Sequence, residues 1–166
     1  MTTQIRVLHV DDESDLQKSL SERLEGAAER IDVTSVATPA TVIDRLESEP
    51  VNCVVSSYQM PETDGLELLS QVRDRWPDLP FVLYTNRGSE AVASEAISED
   101  VTEYVQRPDG PEDFESLAQQ IVAATEQRRA SQFERIADLV REIQSDLVGA
   151  RTREAIDEGV CDRLVE

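Results

Sequence analysis

The chain has 166 residues, of which 35 are Asp or Glu and 16 are Lys or Arg, for a formal net charge of -19. Attachment to nucleic acid or to an anionic membrane is driven by an excess of cations, so this balance argues against direct contact with either. The 39% of hydrophobic residues is enough for one ordinary core, and at this length one domain plus an appendage is expected.

Lys18 is the only lysine, and every other basic residue is Arg. An acidic, lysine-poor surface stays hydrated and monodisperse in concentrated salt, where self-repulsion is screened, so adaptation to a salt-rich cytoplasm is the working expectation. An acidic protein from an ordinary cytoplasm encoded by a GC-rich genome is the alternative. The N-terminus, MTTQIRVLHVDDE, has no basic segment followed by an apolar one, so no signal peptide is expected. No apolar run approaches the roughly 20 residues of a membrane-spanning helix. Cys53 and Cys161 have neither disulfide nor metal-site spacing, and all three features point to a cytoplasmic setting.

In chain order, β-branched apolar runs at Ile5–Val10, Ile31–Val36, 51–55, 81–84 and 101–105 predict five strands. They lack strict polar alternation, as strands covered on both faces of a parallel sheet do. Helical spacing lies between them, as in Leu16, Leu20 and Leu24, or Leu66, Leu69, Val72 and Trp76. Pro39 and Pro80 stand where a helix or strand begins, and Pro50 and Pro77 follow helices. The alternation predicts an α/β fold, a (βα)5 doubly wound parallel sheet whose site lies at the carboxyl ends of the strands.

Residues 112–148 contain no Gly or Pro, and as one helix would be roughly 55 Å long. Phe114, Leu117, Ala118, Ile121 and Val122 are expected to pack on the sheet as the fifth helix, and 125–132 (TEQRRASQ) reads as a solvated spacer. Ile136, Val140, Ile143 and Leu147 then form a 4-3-4 apolar seam beside Leu139 and Val148. That seam predicts either a coiled-coil homodimer contact or an amphipathic helix folded back on its own domain. Gly149 is expected to end the helix, and Thr152 to cap another carrying Ile156, Val160 and Leu164.

The first strand runs into Asp11-Asp12-Glu13, adjacent carboxylates at the carboxyl edge of the sheet. Such carboxylates repel unless a hard cation or an arginine joins them, which makes this a candidate cation site. The plainer alternative is that these acids only start a helix.

VLHVDDE at the first strand is followed by Ser56-Ser57-Tyr58-Gln59-Met60-Pro61 and Asp64-Gly65-Leu66-Glu67-Leu68-Leu69. Phe81-Val82-Leu83-Tyr84-Thr85 ends strand four, and Tyr104-Val105-Gln106-Arg107-Pro108 ends strand five. In this order and spacing the chain resembles the receiver (CheY-like) domain of two-component response regulators, of the haloarchaeal kind, from residue 4 to about 124. The resemblance implies a flavodoxin-like sheet of order 2-1-3-4-5 with a C-terminal helical extension. It also implies that Asp11 and Asp12 hold Mg2+, completed by the Gln59 backbone carbonyl. Thr85 matches the hydroxyl that moves onto the phosphoryl group, Tyr104 the aromatic that rotates with it, and Arg107-Pro108 a Lys-Pro pair commonly joined by a cis peptide.

Two departures stand out. The family's phosphoacceptor Asp is Ser57 here, and its lysine is Arg107. A serine hydroxyl needs a neighbouring base to become a nucleophile, and loss of the carboxylate removes one anionic ligand from Mg2+. The only histidine, His9, is expected to be a packed core residue. Three readings of Ser57 remain: a receiver that no longer takes phosphate, a variant of a phosphorylatable Mg2+-dependent receiver, and a serine that is itself the acceptor. Under the first, Arg107 reaches Asp11 or Asp12, neutralises the pocket internally and leaves Mg2+ binding weak or absent.

The expected function is therefore a non-enzymatic signalling module of phosphorelay signal transduction, with a histidine kinase or a downstream domain as partner and a homodimer through the C-terminal helix. Residues 1–124 are expected to form the receiver-like domain and 125–149 a helical linker. Residues 150–166 resemble the opening helix of a GAF-like sensory domain. A Mg2+-dependent phosphohydrolase is the rival class, but Glu13, two residues after Asp11, is expected to start a helix, and no general base accompanies it. A DNA-binding output finds no basic helix-turn-helix after residue 124.

Overall fold

The structure is a computed structural model that describes the backbone of residues 4–86, 89–107 and 113–161, and side chains within these up to residue 147. Five strands alternate with five helices: β1 Ile5–Val10, α1 Ser14–Ala27, β2 Ile31–Val36, α2 Pro39–Ser48, β3 Cys53–Ser56, α3 Gly65–Arg75, β4 Phe81–Thr85, α4 Glu90–Ser98, β5 Glu103–Gln106 and α5 Phe114–Cys161. All pairings are parallel and the order is β2-β1-β3-β4-β5, as the flavodoxin-like expectation required. The chain divides into two compact units, Met1–Arg128 and Arg129–Glu166.

In the first unit the pleat sends alternate strand residues to opposite faces. Ile5, Val7, Val55, Val82 and Tyr84 pack with Leu20 and Leu24 of α1 and Phe114, Leu117 and Ile121 of α5. Leu8, Val10, Val54, Phe81 and Leu83 pack on the other face with Val42 and Leu46 of α2, Leu68, Leu69 and Val72 of α3, and Ala96 of α4. Because both faces are covered, the central strands β3 and β4 are buried at every residue, whereas the edge strand β2 alternates and β5 is only half-buried.

The helix starts follow local chemistry. Thr38 caps α2 with Pro39 as its first residue, Asp64 caps α3 by accepting from the Leu66 and Glu67 N–H groups, and Ser89 caps α4. Arg73 on α3 donates to the carbonyls of Leu79 and Asp100, fastening the turn before β4 and the α4–β5 turn to one helix. Asp100 adopts φ 63, a left-handed conformation that this anchoring holds in place.

Within 125–132, Glu126, Gln127 and residues 130–132 are exposed, as expected of a solvated spacer, whereas Thr125 is not. Thr125 is buried and donates its hydroxyl to the Ile121 and Val122 carbonyls, while Glu126 pairs with Arg30 at 2.6 Å. A hydroxyl satisfied by its own helix packs like a small apolar group, so threonine can be buried there. The compact first unit runs to Arg128.

Gly149 does not end the helix either, because α5 continues through it to Cys161. One interior glycine costs only about 1 kcal/mol relative to alanine, too little to stop a helix followed by Ala150, Arg151, Arg153 and Glu154. Thr152 therefore starts no new helix. The side chains of Val148, Ile156 and Val160, and all of Leu164, lie outside the described residues, as does Pro108.

Candidate functional site

The strand register brings the predicted residues to one edge. Val10 of β1 pairs with Ser56 of β3, and the ladder is extended by Ser57 N–H donating to the Val10 carbonyl at 3.0 Å. Asp11 and Ser57 thus emerge side by side from neighbouring strands. Thr85 pairs with Gln106 and its carbonyl accepts from Arg107 N–H at 2.7 Å, so Thr85 and Arg107 occupy the same edge. This is where the order reverses, with β2 on one side of β1 and β3 on the other, the crevice that open α/β sheets use for ligands.

The two acids differ. Asp11 is buried, and its carboxylate accepts from Glu13 N–H at 2.8 Å, so it also organises the start of α1, where Glu13 is the cap residue without a side-chain cap of its own. Burial pushes the Asp11 carboxyl above its ordinary range. The Glu13 N–H opposes this, the Asp12 and Glu13 charges reinforce it, and Arg107 pulls it back least. Asp12 is exposed and lines a cleft of about 450 Å3 with Tyr58, Gln59, Met60, Pro61 and Asp64.

Arg107 acts on the Asp11 carboxyl in the lowering direction, and burial acts on it more strongly in the other. Among the described residues, no three His, Cys, Asp or Glu side chains converge to hold a metal. Two carboxylates and a carbonyl are oxygen donors suited to Mg2+, which keeps several waters, but the anionic ligand that Ser57 lacks is missing from the set.

His9 is buried, with Nδ1 3.2 Å from the Ser35 hydroxyl. Burial, helped by the Arg107 charge, lowers it to about 4, so the imidazole is neutral at ordinary pH. Cys53 is fully buried and its thiol is pushed up to about 12, which keeps it inert.

The first residue of α3, Gly65, packs tightly against the end of β3. Its N–H donates to the Tyr58 carbonyl at 2.7 Å, and a Cβ placed on it would lie 2.4 Å from the Ser57 carbonyl oxygen and 2.7 Å from Leu83 Cδ1. Only glycine permits that approach. Glu62 in the β3–α3 loop is left-handed at φ 71.

Thr85 is buried. Tyr104 pairs with Leu83, two residues before Thr85, which puts Thr85 and Tyr104 on the same face of the sheet. Tyr104 and Tyr58 are both half-buried against that face's core, and burial, with Tyr58 nearby, raises the Tyr104 phenol.

Sequence reasoning missed several groups here. Gln17 donates to the Asp11 carbonyl at 2.6 Å and fixes the β1–α1 turn from one helical turn away. Ser56 is fully buried and donates to the Ser57 carbonyl at 2.8 Å. The only signal for either was a polar residue on an otherwise apolar strand or inward helix position.

The model of the response regulator receiver domain matches residues 7–122. Curated relatives include the C4-dicarboxylate transport transcriptional regulatory protein DctD of Rhizobium meliloti, 31% identical over 74% of this chain and 26% of its own length. Response regulator Rre1 of Synechocystis is 28% identical over 74% of this chain and 54% of its own. This chain spans only about a quarter to a half of such relatives. A CheY-like receiver domain protein from Methanospirillum hungatei superposes with TM-score 0.70 at 21% identity, covering 78% of this chain and 99% of that one, which bears on the fold. The beryllofluoride-activated NtrC4 receiver domain dimer gives TM-score 0.66 at 27% identity, covering 74% and 98%. With the strand order, the edge that gathers Asp11, Asp12, Ser57, Thr85 and Arg107, and a family match over most of its length, the chain belongs to the response regulator receiver domain family.

Proposed function

We propose that this receiver takes no phosphoryl group and works as a protein-interaction module in two-component signal transduction, in a salt-rich cytoplasm. The observation that carries the reading is Ser57. It stands at the end of β3 beside the buried Asp11, where the acceptor carboxylate of the family belongs, and it brings a hydroxyl in place of that carboxylate. The one imidazole that could act as its base, His9, is buried against Ser35 and resists protonation. Loss of the third anionic ligand supports weak Mg2+ binding through Asp11, Asp12 and the Gln59 carbonyl, with Arg107 supplying part of the positive charge.

Thr85 and Tyr104 share a face that also holds Tyr58, so binding of a signalling partner there could favour one of two arrangements without phosphate. Several relatives are named as transcriptional regulators, but the segment they share with this chain is the receiver. The net charge of -19 favours a kinase or effector domain, and not DNA, as the surface this chain itself meets.

Acetyl phosphate labelling tests the reading. The unaltered chain should take no label, whereas Ser57→Asp, and more so Ser57→Asp with Arg107→Lys, should be labelled in Mg2+. Labelling of the unaltered chain, or its binding of Mg2+ in the micromolar range, would overturn the proposal.

A further inference from the structure

We propose that residues 133–147 of α5 are a self-association surface whose occupant is the same stretch of a second copy of this chain. Among the described residues, every large apolar side chain with high exposure except Ile97 lies here: Phe133 at 72%, Ile136, Leu139 and Ile143 at 58%, Leu147 at 60% and Val140 at 46%. These six fall within 15 residues of one helix, and such a concentration is a site and not scatter.

Their spacing identifies what covers them. Phe133, Ile136, Val140, Ile143 and Leu147 follow steps of 3, 4, 3 and 4, a mean period of 3.5. A helix laid on the surface of a globular domain carries a broader apolar stripe, whereas a narrow seam of this kind suits a second helix that supercoils with it.

The charges say which helix. In a chain with 35 acidic residues, the positions directly flanking the seam are Gln132, Ala137, Leu139 and Gln144, with Asp146 the single charge. Glu134, Arg135, Asp138, Arg141 and Glu142 lie on the remaining faces, where Asp138 and Arg141 pair with each other. A basic partner would find only one acid along the flanks, Asp146, to read. A second copy, which anywhere else would meet like charge, meets almost none.

Covering the six side chains would remove on the order of 600 Å2 per copy and ~1,200 Å2 in all, the lower edge of specific, stable interfaces. The dimer should therefore dissociate on dilution. This goes beyond the reading of Ser57 and stands or falls apart from it, because the seam shares no residue with the phosphoacceptor edge and its measurement needs no phosphate.

The test is sedimentation velocity of the full chain from about 1 µM to about 100 µM in high salt. The expected result is a monomer–dimer equilibrium that Val140→Asp with Ile143→Asp abolishes while far-UV circular dichroism shows the α/β fold retained. Asp138→Asn should leave it unchanged. In a Cys161→Ala background, Val140→Cys should cross-link between copies at least tenfold faster than Glu142→Cys. A chain that is monomeric at about 100 µM, a dimer that survives the double aspartate variant, or equal cross-linking from the two cysteine positions would overturn the proposal.

Discussion

Gly65→Ala is the sharpest mechanical test of how the site is built. The added Cβ would sit 2.4 Å from the Ser57 carbonyl oxygen and 2.7 Å from Leu83 Cδ1. Leu83 is fully buried, but Cδ1 is the end of a flexible side chain, so the backbone contact to Ser57 is the costly one. The Ser57 carbonyl cannot move alone, since it accepts from the Ser56 hydroxyl, while the Ser57 N–H is tied to Val10 and the next carbonyl to Gly65 itself. Relief demands a shift of most of an ångström at the end of β3. Overpacking of this kind costs about 1–3 kcal/mol, offset by up to ~1 kcal/mol because Gly65 is helical and alanine is the better helix former.

A net loss of about 1–2 kcal/mol is expected, which would lower the urea midpoint by roughly 0.5–1 M. Gly26→Ala is the matched control, since nothing lies within 4 Å of a Cβ there and the residue sits in α1. It should gain a few tenths to ~1 kcal/mol. Urea denaturation followed by circular dichroism reads both. If Gly65→Ala proves as stable as the parent, the close approach described for the Ser57 loop is wrong.

Two further outcomes follow from charge. His9 is protonated near pH 6.5 in the unfolded chain and only near 4 in the folded one, so the unfolded state binds the extra proton between those values. Stability should therefore fall as pH drops from 6.5 to 4, by up to ~3 kcal/mol. Asp11 has the opposite sign, because a carboxyl raised in the fold stabilises at low pH and loses that contribution as pH rises through its folded value. His9→Asn should abolish the acid loss and leave the Asp11 contribution of opposite sign; a variant with the parent's pH profile would refute the assignment. The acidic coat predicts a melting temperature that rises from about 0.1 M to about 3 M KCl as repulsion is screened, and a flat or falling curve would remove salt adaptation.

The strands were legible because a sheet covered on both faces demands β-branched apolar runs, and the central strands β3 and β4 have them. The ends were not, because they are set by hydrogen bonds that periodicity does not encode. Asn52 uses its side chain and its N–H to bond Arg6, so the ladder begins at Cys53 rather than 51. Val101 lies in the turn after α4 and donates to the Ala96 carbonyl, and β5 begins only at Glu103. In the site, the residues of the phosphoacceptor edge could be read from motif order, but the support from Gln17 and Ser56 could not. Both are side-chain bonds to backbone carbonyls, Gln17 to Asp11 and Ser56 to Ser57, and such bonds leave no mark on hydrophobic periodicity.

The same support limits what a partner could change. The Thr102 hydroxyl accepts from the Phe81 N–H at 2.9 Å, and Arg73 holds the Asp100 carbonyl just before it, so the start of β5 is fixed from two neighbouring elements. Tyr104 follows two residues later with its strand paired to β4. On the proposed reading, signalling through Tyr104 is then a side-chain rotation and not a displacement of the strand. Driving such a two-state switch from 1:99 to 99:1 takes about 5.5 kcal/mol of differential binding. With no phosphoryl group to supply part of it, a partner must supply all of it, and a tyrosine half-buried against its core, beside Tyr58, is a group whose position a partner can read directly. Tyr104→Ala should therefore weaken partner binding without altering the melting temperature by more than a few degrees, since the residue contributes to the edge of the core and not to its centre.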